Sequence, residues 1–204
     1  MKVVVNMAAC YVSKIIELAL SEVGYKEKAT NSNLDDKTAN AGHGNFNKYA
    51  NYIDTNYPNF YNGKKNGFDW CAVFVDWLFL KCYGYEDALR LTCQPEHSYG
   101  ASCTMDSRYY KEKKRFGNTP RLGAQIFFTN DGNTSYHTGI VVAYDTTTVT
   151  TVEGNVSDAV VKKTYERSYQ KIMGYGYPDY TEEKKQFVVD VDSKKYNQVI
   201  INIK

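Results

Sequence analysis

The run W-C-A-V-F-V-D-W-L-F-L-K-C-Y, Trp70 to Tyr83, is apolar around nearly its whole circumference. A helix of that kind has no face to give to solvent, so the rest of the chain must close around it on every side. Asp69 supplies an N-cap side chain in front of it and Gly84 a stop behind it. Upstream, Ile15, Ile16, Leu18, Ala19 and Val23 recur at helical spacing between Ser13 and Gly24, predicting an amphipathic helix. The stretch from Thr30 to Asn45 is dense in Asn, Asp, Gly and Ser and reads as a surface loop, with a helical turn or two following around Phe46 to Ile53. A shorter helix is expected over Glu86–Leu91, and the K-E-K-K-R run from Lys111 to Arg115 solvates the end of another.

Beyond Pro120 the period changes. Q-I-F-F-T, H-T-G-I-V-V-A-Y and T-V-T-T-V-E-G-N carry β-branched and aromatic residues in short runs separated by turn formers, predicting three or more antiparallel strands. Val160–Tyr165 and Ile172–Tyr177 offer two more. The expected fold class is α+β, with N-terminal helices packed on an antiparallel sheet. One catalytic-sized domain is expected over residues 1–180; residues 181–204 turn charged and then strand-like, as a linker or the start of a further module would.

The balance of 25 basic and 23 acidic side chains leaves a formal charge of +2, too small to imply a nucleic-acid partner. No apolar run approaches the roughly 20 residues of a membrane span, so membrane insertion is not expected. The start M-K-V-V-V-N-M-A-A-C lacks an adequate apolar segment or cleavage site for a signal peptide, which predicts synthesis in the cytoplasm. Five cysteines without a C-x-x-C pair suggest reduced thiols. Cys93, His97 and Cys103 lack the spacing of a zinc finger or knuckle, and a Cys93–Cys103 bridge is the better alternative if the protein works outside cells. Asn31, Asn33, Asp35 and Asp36 could offer oxygens to calcium, but not at EF-hand spacing, and a solvated turn is preferred. No cofactor and no metal are expected, and the chain reads as a monomer.

A cysteine inside an apolar helix is more often core filling than chemistry. Cys71, however, falls in the first turn, where unpaired N–H groups and the helix dipole favour a thiolate. A nucleophile of this kind needs a base. Of the three histidines, His43 and His97 lie in loops, whereas His137 opens the strongest strand. If His137–Tyr144 and Val149–Asn155 form a hairpin turning near Thr146, His137 falls opposite Asn155 and Glu153 opposite Gly139. All three polar side chains then share one face, and Gly139 leaves room for a carboxylate or amide to approach the ring. Cys71, His137 and Glu153 or Asn155 would be nucleophile, base and orienting group.

In order and in wording, F-D-W-C-A-V-F-V-D-W, Y-H-T-G-I-V-V and T-V-E-G-N resemble the CHAP family, the cysteine, histidine-dependent amidohydrolases/peptidases of the papain-like NlpC/P60 superfamily. The resemblance covers roughly Ile15 to Tyr180. N-S-N-L-D-D-K-T-A-N-A-G and Y-N-G-K-K-N-G-F-D-W-C look most like the catalytic domains of lysins from phages of Gram-positive bacteria. One departure stands out: relatives commonly carry Pro-x-x-Gly-Asp before the first strand, and here P-R-L-G-A places Ala124 at the aspartate. The resemblance implies a papain-like fold, a peptidoglycan hydrolase acting as amidase or endopeptidase at the bacterial cell wall, and residues 181–204 leading toward a wall-binding module. The alternatives are a catalytically inactive wall-binding module and a papain-like protease acting on protein.

Overall fold

The structure is a computed structural model and describes residues 10–98 and 100–181. The strand-like runs beyond residue 181 lie outside the described residues. Five helices come first: α1 (Val12–Glu22), α2 (Lys48–Asn56), α3 (Cys71–Tyr83), α4 (Tyr85–Thr92) and α5 (Cys103–Glu112). Six strands follow: β1 (Phe116–Gly117), β2 (Gln125–Thr129), β3 (Ser135–Tyr144), β4 (Thr148–Val156), β5 (Ala159–Glu166) and β6 (Ile172–Gly176). These six pair antiparallel throughout, in the order β1-β6-β2-β3-β4-β5. The fold is α+β, helices before sheet. β1 pairs only two residues and carries no periodic signal.

Helix α3 is enclosed as its composition demands, with every residue from Ala72 to Leu80 buried. It packs against α1, α2 and α4 on one side and against β3 and β4 on the other. Ile140, Val152 and Val160 join that helical core. Their strand neighbours point the other way, and Ile126, Phe128, Val141 and Tyr175 form a second apolar cluster. Within the buried helix, Asp76 is fully enclosed and accepts hydrogen bonds from Tyr61 Oη at 2.6 Å and from Gln94 Nε2. Burial pushes its carboxyl up to about 7 against those two bonds, and the pair of donors ties two loops to the helix.

The N-cap of α3 is Trp70 rather than Asp69, with no side-chain cap. The reason is packing: the Trp70 ring is wholly buried, stacks on Tyr49 at 5.5 Å and donates Nε1–H to Glu27 at 2.8 Å. That anchoring holds the chain one residue further on and leaves the Asp69 carboxylate outside the helix. α2 is capped by Asn47, whose side chain accepts from Ala50 N–H at 2.8 Å. Ala124 is buried in the second cluster, and its turn is closed by backbone bonds from Val141 N–H and to Arg121, so the turn does not need an aspartate.

Helix and sheet meet most tightly at Gly154, where an added Cβ would lie 2.6 Å from Phe74 Cβ and 2.9 Å from the Trp70 ring. Gly154→Ala should therefore destabilise the fold by about 1–3 kcal/mol through overpacking. A lowered urea midpoint at unchanged slope checks this.

Candidate active site

Cys71 is the first residue of α3 and is half-buried at the wall of a cavity of about 550 Å³. His137, Glu153 and Asn155 line the same cavity. Cys71 and His137, 66 positions apart in sequence, thus converge because the buried helix starts beside the segment of β3 that pairs with β2. His137 Nε2 lies 2.9 Å from Glu153 Oε2, with the ring 16% exposed and the carboxylate fully buried. A buried carboxylate is costly unless satisfied. Glu153 meets that demand by accepting from Thr151 Oγ1 at 2.6 Å and from Tyr165 Oη at 3.2 Å as well. Neither Thr151 nor Tyr165 was singled out by sequence, although Thr151 shares Glu153's strand face.

The hairpin that brings these groups together has the expected register at its working end. Ile140 pairs with Val152 and Val141 with Thr151, which continues to Gly139 against Glu153. A Cβ on Gly139 would come within 2.6 Å of Glu153 Cγ, so the glycine makes the space the carboxylate occupies. Toward the turn the register slips by one between Val141 and Ala143. Asp145 closes that turn by accepting from Thr147 and Thr148 N–H.

Asn155 departs from the expected arrangement. The β4–β5 register shifts between Glu153 and Val156, and Asn155 takes a left-handed conformation with φ +59°. Its amide is thereby turned to Asp69 Oδ1 at 3.4 Å, and the hydrogen bond to His137 comes from Glu153 alone of the two. The other two histidines lie elsewhere: His43 is exposed and pairs with Asp158, and His97 is exposed.

The electrostatics favour charge separation. A hydrogen bond from Cys103, whose Sγ lies 3.4 Å away, is the largest influence on Cys71. With His137 and the Ala72 N–H it overcomes burial and pulls the thiol down to about 5 from an ordinary 9.0. Burial acts to lower His137, but bonding to Cys71 and Glu153 outweighs it and raises the imidazole to about 9. Glu153 is held below the usual carboxylate value because its bonds to His137 and Thr151 outweigh burial. Between those two limits the pair is a thiolate and an imidazolium. Since Nε2 faces Glu153, Nδ1 is the nitrogen left for Cys71.

Residues 63–155 match the family model of the CHAP domain, a span that contains Cys71, His137, Glu153 and Asn155. That span is a CHAP domain, a papain-like fold. No curated protein matches the chain. One solved structure, titled "The crystal structure of Ly7917", is similar at 15% identity with a TM-score of 0.48, over 82% of this chain and 62% of that one. The chain therefore spans less than two thirds of that protein.

Among the described residues of the CHAP domain and its flanks, no group of three or more His, Cys, Asp or Glu is placed to hold a metal. Cys93 packs with Tyr109, Tyr110 and Phe127, while Cys103 faces Cys71, so the suggested Cys93–Cys103 bridge is not formed and both thiols are free. In the Asn31–Asp36 loop, Asp36 Oδ1 accepts from Thr38 and Ala39 N–H, as in a turn, and Asn31 Oδ1 accepts from the Asn66 side-chain amide.

Cys71 stands apart from the other thiols, since burial pushes Cys10 and Cys93 up, Cys82 up to about 12, and its bond to Cys71 together with burial raises Cys103. Iodoacetamide at pH 6 should therefore label Cys71 alone, read by peptide mass. Glu153→Gln should move the alkaline limit of the ion pair below about 9, measured as the histidine titration by NMR.

Proposed function

We propose that the chain is a peptidoglycan hydrolase that cleaves an amide bond through a covalent thioester, as an N-acetylmuramoyl-L-alanine amidase or as an endopeptidase of the stem peptide or cross-bridge. The observation that carries the reading is the thiolate, imidazole and buried carboxylate gathered in one cavity of a CHAP domain. The Cys71 thiolate attacks the carbonyl carbon. The Cys71 backbone N–H, at the positive end of α3, supports the developing oxyanion. His137 gives its proton to the leaving amine and then takes one from water, which releases the acyl group. Glu153 fixes the ring and stabilises its charged form throughout.

The cavity offers surfaces suited to a glycan-linked peptide. Tyr136 and Tyr169, 50% and 41% exposed, contribute aromatic faces, while Asp69 and Lys163 add one charge of each sign. The likeness of N-S-N-L-D-D-K-T-A-N-A-G to phage lysins supports an endolysin made in the host cytoplasm and acting at the wall.

Cys71→Ala should abolish clearing of a Gram-positive wall suspension, and His137→Ala should slow it by roughly 10²–10⁴-fold. Parental rates in either variant would refute the thiol mechanism, whereas wall binding without any clearing by the parental protein would favour a binding module. Mass spectrometry of fragments released from purified walls separates amidase from endopeptidase, and cleavage of denatured protein instead of wall would favour the papain-like protease.

For the parental protein, kcat/KM should rise as pH increases through about 5, as Cys71 loses its proton. It should fall through about 9, as His137 loses the proton it donates. A profile of wall clearing against pH at constant ionic strength tests both limbs.

A further inference from the structure

Cys103, which helps to hold Cys71 as a thiolate, takes no bond-making part in the hydrolytic reading. Cys103 Sγ lies 3.4 Å from Cys71 Sγ. Each cysteine is the first residue of its helix, Cys71 of α3 and Cys103 of α5, so two helix N-termini converge on one pair of sulfurs. Cys103 is only 6% exposed, whereas Cys71 is half-buried against the cavity, and both line it. A solute entering the cavity therefore meets a thiolate first, with a second thiol in contact behind it. A disulfide needs the sulfurs at about 2.05 Å, a further approach of roughly 1.4 Å that side-chain rotation at two helix starts can supply.

We propose that Cys103 is a resolving cysteine, so that a hydroperoxide converts the Cys71–Cys103 pair into a disulfide that reversibly disables the nucleophile. The Cys71 thiolate attacks one peroxide oxygen, and the O–O bond breaks. The departing alkoxide or hydroxide takes a proton from the imidazolium of His137. Cys71 is then a sulfenic acid, oxidised by two electrons, while the peroxide has been reduced to an alcohol or water. Cys103 gives up its proton and its sulfur attacks Cys71 Sγ. The S–S bond forms, the S–O bond breaks, and hydroxide leaves with that proton as water. Two thiols and one hydroperoxide thus become one disulfide, one alcohol or water, and one further water.

The pairing is also protective. Without a partner in contact, a sulfenic acid at an accessible thiolate is open to further oxidation that thiols do not reverse. Contact with Cys103 converts it first to a bond that they do.

The consequence for hydrolysis rests on the reading of Cys71 as nucleophile, whereas the bond itself can be read without any substrate. Full-length protein treated with hydrogen peroxide and digested without reduction should yield a Cys71–Cys103 cross-linked peptide. Wall clearing should be lost in step with that peptide and return with dithiothreitol. In Cys103→Ser the same treatment should leave Cys71 as sulfinic or sulfonic acid, with each sample's loss, relative to its own untreated rate, no longer reversed. Finding Cys71 overoxidised without a cross-link in the parental protein, or bonded instead to Cys10, Cys82 or Cys93, would overturn the proposal. A cross-link in protein that never clears walls when reduced would uphold the redox pair and sink the hydrolytic reading alone.

Discussion

The complete enclosure of α3 is the constraint from which the site follows. A helix with nine consecutive buried residues cannot shift along its axis or roll without opening the core on several sides at once. Its first residue is therefore held in place to the tolerance of the packing itself. Trp70, immediately before the nucleophile, is clamped from three directions: by the Tyr49 ring, by the hydrogen bond to Glu27, and by the backbone of Gly154. Cys71 thus sits between a rigid helix and an immobilised indole, and its sulfur needs no loop to position it. That is the arrangement a reacting group requires when small displacements are costly in rate.

The second requirement is charge. Burying Glu153 completely would be unfavourable on its own, yet three side chains, His137, Thr151 and Tyr165, present donors to its two oxygens. The carboxylate stays ionised, and an ionised carboxylate against a histidine that is mostly removed from water stabilises the imidazolium. The imidazolium in turn favours the thiolate, which also draws on Cys103 and on the Ala72 N–H. Each member makes the next one's charged form cheaper, so removing one alters the titration of the others rather than deleting a single additive contribution. Asp76 shows the contrast. It too is fully buried, but its two donors are neutral, and burial carries it up to about 7.

Much of this was legible in the residues. An all-round apolar run forces an enclosed helix, and period-two alternation places His137 and Glu153 on one face once Gly139 is matched to Glu153. The features that escaped depend on contacts between distant segments. Asp69 has the better capping side chain, but the helix start is decided by where the Trp70 ring can be buried, and Glu27, which receives it, lies 43 residues away. The parity argument that grouped Asn155 with His137 assumes an uninterrupted strand. A single left-handed residue breaks that assumption. Nothing local to C-T-M-D marks Cys103 as the partner of Cys71, because their meeting is set by how α5 crosses the start of α3.

The two glycines of the hairpin show how one short motif serves both packing and chemistry. In T-V-E-G-N the glycine reads as punctuation at the end of a strand, and in H-T-G-I it reads as a weak point inside one. Both are instead places where another group occupies the volume of a missing side chain. Gly154 admits Phe74 and the Trp70 ring, and so lets β4 lie against the helix that carries the nucleophile; Gly139 admits the Glu153 side chain, and so lets the carboxylate reach the ring on β3. Glu153 stands between them, its own side chain filling one gap while the residue after it provides the other. The distance between sulfur and imidazole is therefore governed by two absent methyl groups, one on each strand of the hairpin, as much as by the catalytic side chains themselves.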